Sequence, residues 1–183
     1  MSLLSPTGID PRHQAVYDMG VKCAGDTHPA YNMAGMLFGK NSEEHGSWVM
    51  LAVPNALVRG VFSAMQEPGI ELPPSKDGKL VAHISVMRPE EIDLIGGLDK
   101  ITERGDTFHY NLGKLVHCVP DGWKEMSDCW FLEAHSPELQ DLRRSYGLSS
   151  LPKNGEFKFH ITVAVRRKGV LGRNSKGKGE PTG

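Results

Sequence analysis

Long apolar runs are missing from this chain, and no stretch approaches the roughly 18 consecutive apolar residues that a membrane-spanning helix needs. Cysteine is scarce: of the three, Cys23, Cys118 and Cys129, at most two pair within one chain, too few for a disulfide framework. They read as plain thiols in a reducing compartment. A net charge excess is absent too, with 21 Lys and Arg against 22 Asp and Glu. A dedicated duplex-DNA binder carries a strong basic surplus to neutralise phosphates, so that class is excluded, whereas a small anionic ligand needs only a few local cations. The N-terminus has no basic start followed by an apolar stretch. The expectation is a soluble, cytoplasmic protein with no membrane partner; 183 residues suffice for one domain or two small lobes sharing a core.

What the chain does contain is a pattern that occurs twice. In the first half, "SWVMLAVP" (residues 47–54) reads as a strand. Asn55 stands as N-cap for a helix in which Leu57, Val58, Val61, Phe62 and Met65 share one face. After the Pro- and Gly-rich loop 67–79, "LVAHISVM" (80–87) reads as another strand, stopped at Arg88 and Pro89. A short helix follows, weakened by Gly96 and Gly97. In the second half, "FHYNLGKLVHCV" (108–119) and "CWFLEAH" (129–135) read as strands. Ser136 caps a helix opened by Pro137, with Leu139, Leu142 and Tyr146 on one face and Gly147 at its end. "FKFHITVAV" (157–165) closes the half. Residues 1–46 are expected to form an N-terminal extension packed on the domain, with a short strand near 31–39. The expected domain spans 47–168, and 169–183 is expected to be a flexible basic tail.

Each half places a histidine, and two positions later a hydroxyl residue, in an otherwise apolar strand. Side chains alternate along a strand, so His83 and Ser85 share a face with Val81 and Met87. Lys158, His160, Thr162 and Arg166 share one in the second copy. If the halves are related by a pseudo-twofold axis, two imidazoles and two hydroxyls meet in one cleft. Two imidazoles near neutrality can divide the roles of general base and general acid. Two short donors can hold phosphate oxygens. Lys158 and Arg166 are candidate phosphate contacts, and Trp123, in a loop, is the candidate for stacking on a base; Trp48, Trp130, Tyr110 and Tyr146 are the other aromatics. His109, His117, Cys118, Cys129 and His135 match no familiar zinc spacing, so no metal or other cofactor is expected.

Two H-x-[ST] motifs at equivalent places, His83-Ile84-Ser85 and His160-Ile161-Thr162, resemble those of the two-histidine (2H) phosphoesterase superfamily, which includes LigT-like cyclic phosphodiesterases. The resemblance implies an α+β fold of two pseudo-symmetric antiparallel lobes with helices outside and a central cleft. It implies His83 and His160 as the catalytic pair, Ser85 and Thr162 as catalytic and substrate-binding ligands of phosphate oxygens, and no metal. The implied reaction is metal-independent cleavage of a nucleotide phosphodiester: a 2′,3′-cyclic phosphate, a 2′-5′ linkage or a cyclic oligonucleotide. The partner is then a nucleotide or short oligonucleotide. Rival readings are a signal-degrading enzyme of the phage anti-CBASS type, a non-catalytic RNA- or nucleotide-binding module of the same fold, and an interaction protein with unoccupied motifs. Against the family pattern, the first motif carries Ser where Thr is common, and Phe159 stands where proline often precedes the second histidine.

Overall fold

A computed structural model describes residues 32–43, 45–74, 80–120 and 123–169. The tail from 170 onward and Cys23 lie outside the described residues. The strands are β1 (Asn32–Ser42), β2 (Gly46–Ala52), β3 (His83–Met87), β4 (Thr107–Cys118), β5 (Met126–His135) and β6 (His160–Arg167). The α-helices are α1 (Asn55–Met65), α2 (Pro89–Leu94) and α3 (Pro137–Ser145). All neighbouring strands run antiparallel in the closed order β1-β2-β3-β6-β5-β4. The α+β class expected from the sequence is therefore the class observed.

That order places the two halves side by side. Strands β1, β2 and β3 form one lobe, with α1 between its second and third strands; β4, β5 and β6 form the other, with α3 in the corresponding place. The lobes meet at β3 and β6, where Ile84 pairs with Ile161, and again where β1 pairs with β4. Within the segment expected as an extension packed on the domain, β1 is hydrogen-bonded on both sides, from Leu37↔Leu51 to Ser42↔Gly46 on β2 and from Asn32↔Asn111 to Met36↔Thr107 on β4. A strand with both edges paired is an integral part of the sheet. Gly35 suits its place there, since a Cβ would lie 2.1 Å from the Ala52 carbonyl oxygen.

Helix amphipathicity explains the packing. Leu57, Val58 and Val61 of α1 and Leu139 and Leu142 of α3 are buried in one core with Ile84, Ile161, Val86 and Val163, while α1 rests on β6 and α3 on β4 and β3. Each helix thus covers a strand of the opposite lobe. Ser136 caps α3 as expected, accepting from the Leu139 amide at 3.1 Å and donating to the His109 carbonyl at 2.6 Å. Asn55 does not cap α1. Its amide donates to the Leu80 carbonyl at 2.8 Å and its oxygen accepts from the Ala82 amide at 2.9 Å. It clamps the chain that enters β3, because a side-chain amide can mimic the two bonds of a neighbouring strand. Among the described residues, no helix is long and apolar enough to cross a membrane.

One arginine ties the lobes together. Arg143 of α3 is fully buried, and its guanidinium forks onto both carboxylate oxygens of Glu91 in α2 at 2.9 and 2.6 Å. Its other bonds go to the carbonyls of Val86, Ser149 and Leu151. Glu91 also accepts from the amides of Arg88 and Lys153. Burial works against its charge, yet these donors together hold its carboxyl below the ordinary 4.5. Removing one partner of a buried pair costs about 3–5 kcal/mol. Arg143→Met is expected to lower stability by about that much in urea unfolding, and Arg143→Lys, which keeps the charge but not the fork, by about 1–3 kcal/mol. Because the folded pKa of Glu91 is depressed, its contribution is present above 4.5 and is lost as the pH falls through the folded value.

Candidate functional site

Strands β3 and β6 each carry one β-bulge, at the same distance from the histidine. On β3, Ser85 pairs with Met50 and Met87 with Val49, leaving Val86 as the extra residue. On β6, Thr162 pairs with Phe131 and Ala164 with Trp130, leaving Val163. Both extra residues lie three positions after the histidine, and both are buried. A bulge resets the alternation of faces. Beyond it, Met87 faces the core and Arg88 comes onto the face of His83 and Ser85; beyond the other, Val165 joins that face and Arg166 leaves it.

Pairing of Ile84 with Ile161 sets His83 opposite Thr162 and Ser85 opposite His160 in an antiparallel ladder. The two histidines are then diagonal neighbours, about 7–8 Å apart. Each is anchored in the same way: Nδ1–H of His83 donates to the Val81 carbonyl at 2.8 Å, and Nδ1–H of His160 to the Lys158 carbonyl at 2.9 Å. The anchored nitrogen fixes the tautomer, so Nε2 of each neutral ring is left as the acceptor. Asn55, by holding Leu80 and Ala82, fixes the carbonyl that orients His83. The Phe131 ring lies tilted against His160, with centroids 4.9 Å apart.

Beside His83 and Thr162 opens a cavity of about 370 Å³ whose walls are largely apolar, including Phe38, Met50, Pro73, Leu80 and Val81. Lys40 also lines it. Burial is the main cause that holds the His83 pKa below 6.5; the bond to Val81 opposes it, and the positive fields of Lys40 and His160 add to the lowering. The lowering favours the neutral form of the His83 imidazole. A shallower depression of about 320 Å³ around His109, Asn111, Pro137 and Glu138 lies elsewhere, and there the His109 imidazole is bonded to Glu138.

The four motif residues His83, Ser85, His160 and Thr162 thus come together on one face. The other three candidates do not join them freely. Arg166 is turned away by the bulge at Val163; it lies over the Trp130 ring at 5.0 Å and binds Asp128 and the Pro68 carbonyl. Trp123 sits in the loop between β4 and β5, where its carbonyl accepts from Lys168, six residues beyond Thr162 and so about 20 Å along the sheet. Lys158 is at the rim, but its ammonium is held by Glu133 at 2.8 Å. In their place the structure brings in Lys40, Trp48 and Arg88. Nothing in the alternation of residues 80–90 signals Arg88, because a bulge at a buried valine leaves no mark in the apolar pattern.

Cys118 and Cys129 oppose each other across β4 and β5. Burial pushes the Cys129 thiol up to about 12, and the Thr162 hydroxyl is within hydrogen-bond reach of it. Burial raises Cys118 as well, so both thiols stay protonated. Among the described residues no group of three or more His, Cys, Asp or Glu side chains is arranged to hold a metal ion.

A symmetric antiparallel sheet with one H-x-[ST] strand from each lobe, and a shared face between them, defines a two-histidine phosphoesterase site. A family model described as "Swiss Army Knife, 2H phosphoesterase domain" matches residues 48–171, and the chain belongs to that superfamily. No curated protein and no solved structure matches it. The matched segment begins after β1, so Phe38 and Lys40 stand outside it. The anchoring geometry has a direct check: long-range ¹H–¹⁵N spectra of the neutral protein are expected to show both His83 and His160 as Nδ1–H tautomers, and Asn55→Ala is expected to broaden or shift the His83 resonances more than those of His160.

Proposed function

We propose that the protein is a phosphodiesterase that cleaves a nucleotide phosphodiester without a metal, by acid and base catalysis between His83 and His160. The observation that carries this reading is the paired anchoring of the two rings on adjacent strands, each with Nδ1 tied to a carbonyl, which leaves Nε2 as the nitrogen that can exchange a proton with substrate. A phosphate about midway between them is within reach of both.

His83, kept neutral, is the base. Its Nε2 takes the proton from the attacking oxygen, a water or a ribose hydroxyl, as that oxygen forms its bond to phosphorus. His160 enters protonated and gives its Nε2 proton to the departing ribose oxygen as the other P–O bond breaks. One proton is taken up and one is released, so each turnover leaves the pair reversed until solvent exchange restores it. Ser85 and Thr162 donate to the nonbridging oxygens, on which charge increases at the transition state. Lys40 adds a positive field at the cavity wall. Because the proton transfers are assigned to side chains, no step requires a metal. The apolar cavity beside His83 suits one nucleoside, which favours a 2′,3′-cyclic phosphate, a 2′-5′ linkage or a cyclic oligonucleotide as substrate.

A chromatographic screen of 2′,3′-cyclic mononucleotides, 2′-5′ oligoadenylate and 3′,3′ cyclic dinucleotides tests the reading. Turnover is expected with at least one of them and unchanged by EDTA. His83→Ala and His160→Ala are each expected to lower kcat by about 10²–10⁴-fold. A double alanine variant with full activity would sink the proposal, and binding without product would favour a nucleotide-holding module instead. The pH profile of kcat/KM is expected to be bell-shaped. Its acidic limb should fall below 6.5, since activity is lost only when the depressed imidazole of His83 takes up a proton.

A further inference from the structure

The bulge at Val86 builds a second surface next to the histidines. Lys40 pairs with Trp48 across β1 and β2. Beyond the bulge, the register that pairs Val49 with Met87 carries Trp48 on to Arg88. One row of the cleft face is thus cation, aromatic, cation. The row beside it runs Phe38, Met50 and Ser85, and across the seam it meets His160. One step of two residues, about 7 Å along the strands, separates the two rows. A ligand that reaches both needs to extend only a single nucleotide beyond the one that carries the reacting phosphate.

The side chains on and beside this row bring cations and aromatic rings together. The Arg88 guanidinium lies 5.4 Å from the centre of the Trp48 ring and 5.9 Å from that of Phe157. Phe157, 41% exposed, also has the Lys153 ammonium 5.0 Å from its ring. Rings near cations of this kind are the usual platform for single-stranded nucleic acid, where bases stack and phosphates pair with the charges. The carboxylate bonded to Arg88 is Glu90, at 2.7 Å and itself exposed. Such a surface pair is worth at most about 1 kcal/mol, so a phosphate can displace it. Among the described residues Lys40 has no carboxylate partner.

We propose that Lys40, Trp48, Arg88 and Phe157 form a shelf for a second nucleotide, so that the preferred substrate is a short oligonucleotide and not a mononucleotide. The first nucleoside occupies the cavity beside His83. The reacting phosphate lies between the histidines, and the adjoining nucleotide stacks at Trp48 and Phe157 with its phosphate on Arg88. Arg88 is on this account a specificity-determining residue, with no role in moving protons. The inference rests on the phosphodiesterase reading of the same site and narrows its substrate class.

Two substrates that differ only by one nucleotide make the test: adenosine 2′,3′-cyclic phosphate, and the dinucleotide ApA ending in the same cyclic phosphate. The wild-type protein is expected to prefer the dinucleotide by about tenfold or more in kcat/KM, the equivalent of about 1.4 kcal/mol and within the worth of one stacked base. Arg88→Ala is expected to bring that ratio close to one, chiefly through KM for the dinucleotide. Phe157→Ala, which alters an exposed loop ring, should reduce the ratio several-fold without threatening the fold. Absence of a wild-type preference, or an equal loss on both substrates in Arg88→Ala, overturns the shelf. If neither ester is turned over, the catalytic reading fails instead, and calorimetric titration with ApA and with AMP still decides the shelf. Tighter binding of ApA that is lost in Arg88→Ala supports it; equal affinities overturn it.

Discussion

Arg143 is the constraint on which the site depends. A guanidinium with no exposure to water is tolerable only if its charge is paired and its donors are all used. Here two of its bonds go to Glu91 and three to carbonyls. One of those carbonyls belongs to Val86, the extra residue of the first bulge. A bulged residue is left out of its ladder, and Arg143 supplies a donor from the opposite lobe. The same side chain therefore joins α3 to α2, holds the loop that leads toward β6, and stabilises the irregularity that brings Arg88 beside the histidines.

Much of the fold could be read from the sequence because the local signals and the global pattern agree. Ser136 and Pro137 begin α3 as such residues do, the helical faces of Leu57, Val58 and Val61 and of Leu139 and Leu142 enter the core, and the two H-x-[ST] strands become neighbours. What could not be read has physical reasons. Arg143 sits at the end of an amphipathic segment beside Arg144, and its pattern is the same as that of a solvated surface cation. Asn55 has the position and chemistry of an N-cap, but two backbone groups 25 and 27 residues away compete for its amide, and they lie in three dimensions only. β1 is short on periodic signal and rich in glycine, so its pairing on both edges depends on partners that no local window contains. Trp123 and Trp48 are alike in type; only the sheet register tells which stands in the cleft.

The lobes match in topology and in the anchoring of their histidines, but their surroundings are unequal. On the side of His83, the loop before β3 and the strand β1 close a cavity and lower the imidazole pKa. On the side of His160, a phenylalanine ring and a rim lysine bound to Glu133 take their place. Two chemically identical groups acquire different environments because the elements around a twofold pattern need not obey it.

The paired bulges carry a further meaning for how such a chain can vary. Each is a single-residue insertion in a strand, and its effect is confined to whatever follows. Were the same residues paired in an unbroken ladder, without the first bulge, Met87 would take the place of Arg88 in the cleft; without the second, Arg166 would enter where Val165 now lies. Whether a cation is offered at each end of the cleft is thus written by the ladder's count, in two valines that themselves face the core. A slip of one residue in the ladder can exchange a cationic end for a greasy one while both histidine motifs remain intact.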